Sequence, residues 1–192
     1  MTNPQAELRR QLMNALYHDD LSQVTDLLNQ SVNVNLPYNH RGWTPFMWVC
    51  KEHTNPEIIR LFLDHGGNVH SRNKSGETPL HIMAQHRANY DCLELLIDAG
   101  ANPDAQDNDG CTPLMDAVRH PQAMMRKELI LNLAENSDTS IKNNAGKTAY
   151  DLAKENQAFN DETLLLFLKP VEDLTEDEFH KIFSTYMGGN NE

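Results

Sequence analysis

The chain is predicted to be an all-α repeat protein, a solenoid of about five helix-turn-helix units with hairpin-like connections. Three observations predict it. Four segments align: NHRGWTPFMWVC, NKSGETPLHIMA, DNDGCTPLMDAV and NNAGKTAYDLAK. Their glycines, Gly42, Gly76, Gly110 and Gly146, stand 34, 34 and 36 residues apart, and Thr44, Thr78, Thr112 and Thr148 keep the same spacings. Each segment is followed by an apolar run at helical spacing: EIIRLFLDHGGNV, CLELLIDAGANP, ELILNLAENSDT and TLLLFLKP.

Each part of the unit has a physical reason. The N/D-x-x-G stretch is a turn whose glycine can take a positive φ without a Cβ clash. The threonine suits an N-cap, because its hydroxyl oxygen accepts an N–H from the first helical turn. Pro45, Pro79 and Pro113 follow at the first helical position, where a missing N–H costs nothing. A short helix, a loop and a second apolar helix complete the unit. That second helix ends at Gly66-Gly67 or at Gly100, residues suited to a left-handed cap. One such unit cannot bury both of its helices; stacked units can.

This pattern resembles the ankyrin repeat. The Thr-Pro-Leu-His signature appears whole as Thr78-Pro79-Leu80-His81, and TPFM (44–47) and TPLM (112–115) keep its Thr-Pro step. LLIDAGANPDAQDNDG (95–110) matches the family's second helix and hairpin closely. QLMNALYHDDLSQVTDLLNQSVNVN (11–35) looks like a first repeat without Thr-Pro. The resemblance covers about residues 5 to 170. It implies an N-terminal capping repeat at 5–38, repeats at 39–72, 73–106 and 107–142, and a C-terminal repeat at 143–170, all within an array spanning 1–170. It also implies a structural role for His81, hydrogen-bonded to threonine hydroxyls or to backbone between repeats.

The departures carry information too. The fourth repeat is longer by two residues, placed around HPQAMMRK (120–127), and has ENSDTS where the family has Gly-Ala-Asp. The fifth has Ala149 in place of the proline and a longer polar loop, ENQAFNDE (155–162). The tail, residues 171–192, lies outside the repeat. Thr175 and Glu178 make a capping box, and Leu174, Phe179, Ile182, Phe183 and Tyr186 recur at helical spacing, so one amphipathic helix is expected before a frayed GGNNE. Its acidic cluster (Glu176, Asp177, Glu178) is similar to the C-terminal signals of type IV secretion effectors. That likeness implies, as an alternative, a bacterial effector translocated into a host cell. The competing reading is a helix that caps the last repeat.

Composition narrows the function. Sixteen basic and 28 acidic residues give a formal charge of −12. Such a chain is repelled by phosphate backbones and anionic lipid, so neither nucleic acid nor a membrane is expected as a partner. Three cysteines without a CxxC fit thiols in a reducing compartment. No apolar leader and no membrane-length apolar run is seen, and a soluble, cytoplasmic, monomeric protein is expected. The sequence lacks GxSxG, P-loop, GxGxxG and HExxH motifs, so no enzyme, no catalytic residue and no cofactor is predicted. No metal site is predicted either. His81 and His86 stand five apart and do not share a helix face, and DNDG (107–110) lacks the remaining ligands of a calcium loop.

The resemblance implies that a protein partner docks on the hairpin tips and on the concave face of the first helices. By register this face holds Arg41, Trp43 and Lys51 in the second repeat, Lys74, Glu77 and His86 in the third, and Asn108, Asp109, Arg119 and His120 in the fourth. With its neighbours it carries five Lys/Arg (Lys147 among them) against four Asp/Glu, so it is less acidic than the chain as a whole. The expected function is therefore a non-enzymatic adaptor or scaffold. Cys50 and Cys92 are expected to be buried, and Cys111 is placed at a hairpin tip as an exposed thiol. Of the two tryptophans, Trp48 occupies the register position of Ile82 and is expected in the core. Trp43 precedes the cap, where Glu77, Cys111 and Lys147 stand, and is expected as an exposed anchor, the alternative being that it lies flat against the first repeat's hairpin around Pro37-Tyr38.

Overall fold

The Gly-x-Thr segments build the same turn four times. In the computed structural model, Asn39, Asn73, Asp107 and Asn143 each accept two backbone N–H groups with one side-chain oxygen, from the residues two and four further on. For Asn73 these are Ser75 at 2.9 Å and Glu77 at 3.0 Å; for Asp107 they are Asp109 at 2.9 Å and Cys111 at 2.8 Å. Asn39 and Asn143 repeat the pattern. This is why Asn or Asp opens each segment: a short acceptor reaches back to its own turn. The four glycines have φ between 75° and 79°. At Gly110 a Cβ would also stand 2.7 Å from Asn144 Oδ1 and 2.8 Å from Asn144 N, so both conformation and space demand glycine.

The threonine after each turn caps a helix. Thr44, Thr78, Thr112 and Thr148 accept the N–H of Met47, His81, Met115 and Asp151. The structure describes residues 4–86, 89–157 and 159–187, with the backbone alone at 124, 183 and 185–187. Among the described residues there are eleven α-helices and no strand. They are α1 (Pro4–Tyr17), α2 (Leu21–Asn29), α3 (Pro45–Glu52), α4 (Pro56–Asp64), α5 (Pro79–Gln85) and α6 (Tyr90–Asp98). Then follow α7 (Pro113–Arg119), α8 (Lys127–Glu135), α9 (Ala149–Glu155), α10 (Glu162–Phe167) and α11 (Glu176–Met187). The two extra residues of the fourth repeat fall where a 3-10 turn, Ala123–Arg126, precedes α8.

The chain forms two compact units, Met1–Asn102 and Pro103–Glu192. In the first, α3 packs against α1 and α5, and α4 against α6, so first helices meet first helices and second meet second. The core here is apolar at every shared face: Phe46, Val49, Ile59, Phe62, Leu80, Ile82, Leu93 and Leu96 are all fully buried. The Phe46 and Phe62 rings stack at 6.1 Å and tie α3 to α4. Each such side chain contributes about 1.5–3 kcal/mol by leaving water. Repeat-to-repeat bonds add direction. Lys74 N donates to Arg41 O at 3.0 Å, and Asn89 Nδ2 donates to Thr54 O at 3.1 Å.

The second unit uses the same devices. α7 packs on α9, α8 on α10, and α10 on α11. Asn144 N donates to Asp109 O at 2.9 Å, and Asn156 Nδ2 donates to Val118 O at 2.7 Å. The tail helix α11 is held to the lysine after α10 by an ion pair, Lys169 Nζ to Glu178 Oε2 at 2.8 Å. Thr175 and Glu178 form the reciprocal capping box. The helix is less amphipathic in position than in pattern: Leu174 and Ile182 are half-buried, whereas Phe179 is 53 % exposed. The side chains of Phe183 and Tyr186, and all of 188–192, lie outside the described residues.

Three expectations need correction. Cys111 is not exposed but buried, at 2 %. The turn folds its side chain inward, where Arg119 Nη1 and Asn143 Nδ2 each stand 3.7 Å from the sulfur. Trp48 is not enclosed but half-buried. Ile82 fits completely at the equivalent place, but the larger indole lies beside Arg10, Asn14 and Tyr17 and outgrows the space. Trp43 is half-buried rather than exposed, in line with the alternative of packing at the hairpin around Tyr38. Its carbonyl accepts from Tyr38 N at 2.8 Å and its N–H goes to Asn39 Oδ1, which draws it to the base of the hairpin.

Candidate functional site

The predicted contact residues fall at hairpin tips and helix ends. In the first unit Arg41 and Lys74 are exposed at adjacent tips, and Trp43, Lys51, Glu77 and His86 are half-buried. Lys51 is paired with Glu52. Glu77 accepts from Asn73 Nδ2 at 2.6 Å and from Gln85 Nε2 at 2.7 Å, so its carboxylate braces the turn against α5. In the second unit Asn108, Asp109 and Arg119 are exposed and His120 is half-buried. Burial and the nearby Arg126 guanidinium hold the His120 imidazole below its ordinary pKa. The tips thus combine exposed side chains with a backbone tied from repeat to repeat.

The buried polar residues serve the scaffold. His81 is fully enclosed. Its Nδ1 accepts from Thr78 N at 3.2 Å and meets the Thr78 hydroxyl at 2.8 Å, while His81 N donates back to that hydroxyl oxygen. The backbone bond makes Nδ1 an acceptor, so the threonine O–H points at it and the ring proton sits on Nε2. These bonds lie within one repeat, a capping box built with histidine. All three cysteines are buried free thiols. Desolvation raises each: Cys92 is pushed up to about 11, and Cys50 and Cys111 are also raised. Thiols of this kind are poor nucleophiles.

Sequence reasoning missed a groove in the first unit. Two adjoining cavities of about 450 and 370 Å³ share Tyr17 and Trp48. The larger also meets Asp19, after α1, and Glu52 and His53, at the end of α3. The smaller reaches Tyr38, Arg10 and Met13. Tyr17 is 75 % exposed, and the Asp19 carboxylate is 80 % exposed. The His53 ring stands edge-on to Trp48 at 5.4 Å. Its Nδ1 is 3.8 Å from Asp19 Oδ1, and its buried Nε2 has no hydrogen-bond partner. Desolvation outweighs the pull of Asp19 and Glu52 and lowers the imidazole's pKa, so the ring is neutral at neutral pH. The sequence held one signal for this place: an aromatic residue directly before an acidic turn, Tyr17-His18-Asp19-Asp20.

The family model for ankyrin repeats (three copies) matches residues 12–107 and 80–176, most of the chain. The chain belongs to the ankyrin-repeat family. No curated protein matches it. Ankyrin repeats are in general protein–protein interaction modules. Among the described residues no group of three His, Cys, Asp or Glu is placed to hold a metal ion. Among them, too, no helix is long and apolar enough to cross a membrane.

Proposed function

We propose that the protein is a non-enzymatic adaptor that binds a partner protein through its hairpin tips and the exposed ends of its first helices. The observation that carries this reading is the Arg41–Lys74 pair of tips. Their backbones are joined by the Lys74 N to Arg41 O bond, while both side chains remain exposed. A surface whose backbone is already fixed spares the cost of ordering a loop on binding. Trp43, Lys51, Glu77 and His86 belong to the same surface in the first unit. Asn108, Asp109, Arg119 and His120 form the corresponding surface in the second. The expected partner presents an acidic or mixed segment to these tips.

Affinity purification from the native host tests the proposal. The wild-type chain is compared with Arg41→Glu/Lys74→Glu and with a control pair on the second helices, Glu57→Lys/Glu94→Lys. Both control residues are exposed. A partner lost with the first pair and kept with the second supports the tips. Recovery unaffected by the first pair removes them from the site.

The tail has a second reading, as a translocation signal. The observation that bears on it is the Lys169–Glu178 pair, which ties the acidic cluster to the folded array and favours a cap. A translocation assay of a chain ending at residue 174 separates the two. Lost export supports the signal; unchanged export leaves the cap.

A further inference from the structure

The groove over α1 and α3 differs from the hairpin tips in chemistry. Its walls are aromatic, with Tyr17 and Trp48 common to both cavities and Tyr38 at one end. Its charge is negative. Asp19 faces outward at the rim, and its near neighbour His53 is neutral and half-buried. Glu52 adds a second carboxylate, shared with Lys51. The one cation at the far end, Arg10, is matched by Glu7 through two bonds, 2.6 and 3.0 Å long. A cation over an aromatic face is attracted by the ring quadrupole, and more strongly where water is partly excluded. A planar guanidinium suits such a place better than an ammonium, because it stacks on rings and pairs with a carboxylate through a fork of N–H groups.

We propose that this groove takes an arginine side chain presented by a partner protein, with its guanidinium against Trp48 and Tyr17 and paired with Asp19. Charge complementarity selects this occupant: the chain carries −12 overall, and the exposed carboxylate of the groove lies beside its aromatic walls. The Asp19 backbone has φ 54°, a conformation that asparagine accepts as readily as aspartate, so the charge can be removed without disturbing the turn. The proposal rests on the reading of the array as a protein-docking surface, and adds a second chemistry to it.

The test is a ¹H–¹⁵N titration of the full chain with the acetylated, amidated pentapeptide Gly-Gly-Arg-Gly-Gly. A citrulline peptide of the same shape serves as the uncharged control. The chain has two tryptophans, so Trp43→Phe assigns both indole signals. The expected result is a saturable shift of the Trp48 indole N–H with the arginine peptide alone, the Trp43 signal staying still. Asp19→Asn is expected to weaken binding about threefold to fivefold. Three results overturn the proposal: no shift, an equal shift with citrulline, or joint movement of both indoles that Asp19→Asn leaves unchanged. None of them touches the hairpin tips, which the Arg41/Lys74 capture experiment addresses separately.

Discussion

Helices α3 and α5 start from the same instructions and end in different roles. Both follow an Asn-x-x-Gly turn, both are capped by threonine and both begin with proline. In α5 every residue from Pro79 to Ala84 is buried, and His81 closes the cap from inside. In α3 the histidine is replaced by Met47, the isoleucine by Trp48, and the second of these half-emerges into a groove. The repeat therefore specifies a backbone and a set of register positions. What fills a position decides whether it serves the stack or the surface.

The sharpest way to break this comparison is to truncate the paired positions. Ile82→Ala removes a fully enclosed side chain and is expected to cost about 2–5 kcal/mol. Trp48→Ala removes more atoms, yet the indole is only partly enclosed and lines the groove, so the expected cost is below about 2 kcal/mol. Urea unfolding of both variants checks the order. A larger loss for Trp48→Ala would return that residue to the core and weaken the groove.

The turn glycines allow the same contrast in the second unit. Gly110 and Gly146 share φ 75°, but a Cβ at Gly110 meets Asn144 whereas one at Gly146 meets nothing within 4 Å. Gly146→Ala should cost roughly 1 kcal/mol for the left-handed backbone alone. Gly110→Ala should cost about 3 kcal/mol, because the neighbouring turn must also yield. Thermal unfolding of the two variants gives the difference. Equal losses would mean that the turns adapt and that the spacing between repeats is soft.

The threonine caps separate a generic part from a local one. Thr44→Ala loses an N-cap, at about 1 kcal/mol. Thr78→Ala loses the cap and the hydroxyl that His81 Nδ1 meets at 2.8 Å, so about 2 kcal/mol is expected. A matched measurement is Thr78→Ser, which keeps the hydroxyl and should recover most of the loss. If Thr78→Ala costs no more than Thr44→Ala, the histidine adds nothing beyond an ordinary cap.

Much of this was legible in the sequence because the signals are local. Turn, cap and first-position proline are set within seven residues, and the 34-residue spacing fixes the register from one turn to the next. The exposed tips at Arg41 and Lys74 follow from that register. The groove does not. It is assembled from Tyr17 and Asp19 at the end of one helix, Trp48 and His53 in and after another, and Tyr38 in a hairpin, residues that no local pattern joins. Register placed Trp48 with Ile82; only packing shows that an indole does not fit where an isoleucine does. Cys111 failed for a related reason. A position beside a hairpin tip points out or in according to side chains of other segments, here Arg119 and Asn143.

The smallest expected effect concerns the tail, where a charge rather than a cavity joins two elements. The Lys169 ammonium and the Thr175 N–H hold the Glu178 carboxyl at about 2, well below its usual 4.5. The folded value lies below the unfolded one, so the pairing stabilises the docked α11 fully above about pH 4.5 and is lost as the pH falls towards 2. Both side chains reach solvent, so the effect is modest and screened by salt. Amide exchange along 176–187 should therefore quicken relative to α9 as the pH is lowered through this window, once the intrinsic rate is corrected. In Lys169→Met the same amides should already exchange faster at neutral pH, with a weaker acid dependence. An α11 whose protection ignores both changes is held by its apolar contacts with α10 instead, and the acidic cluster is then released from any part in capping the array.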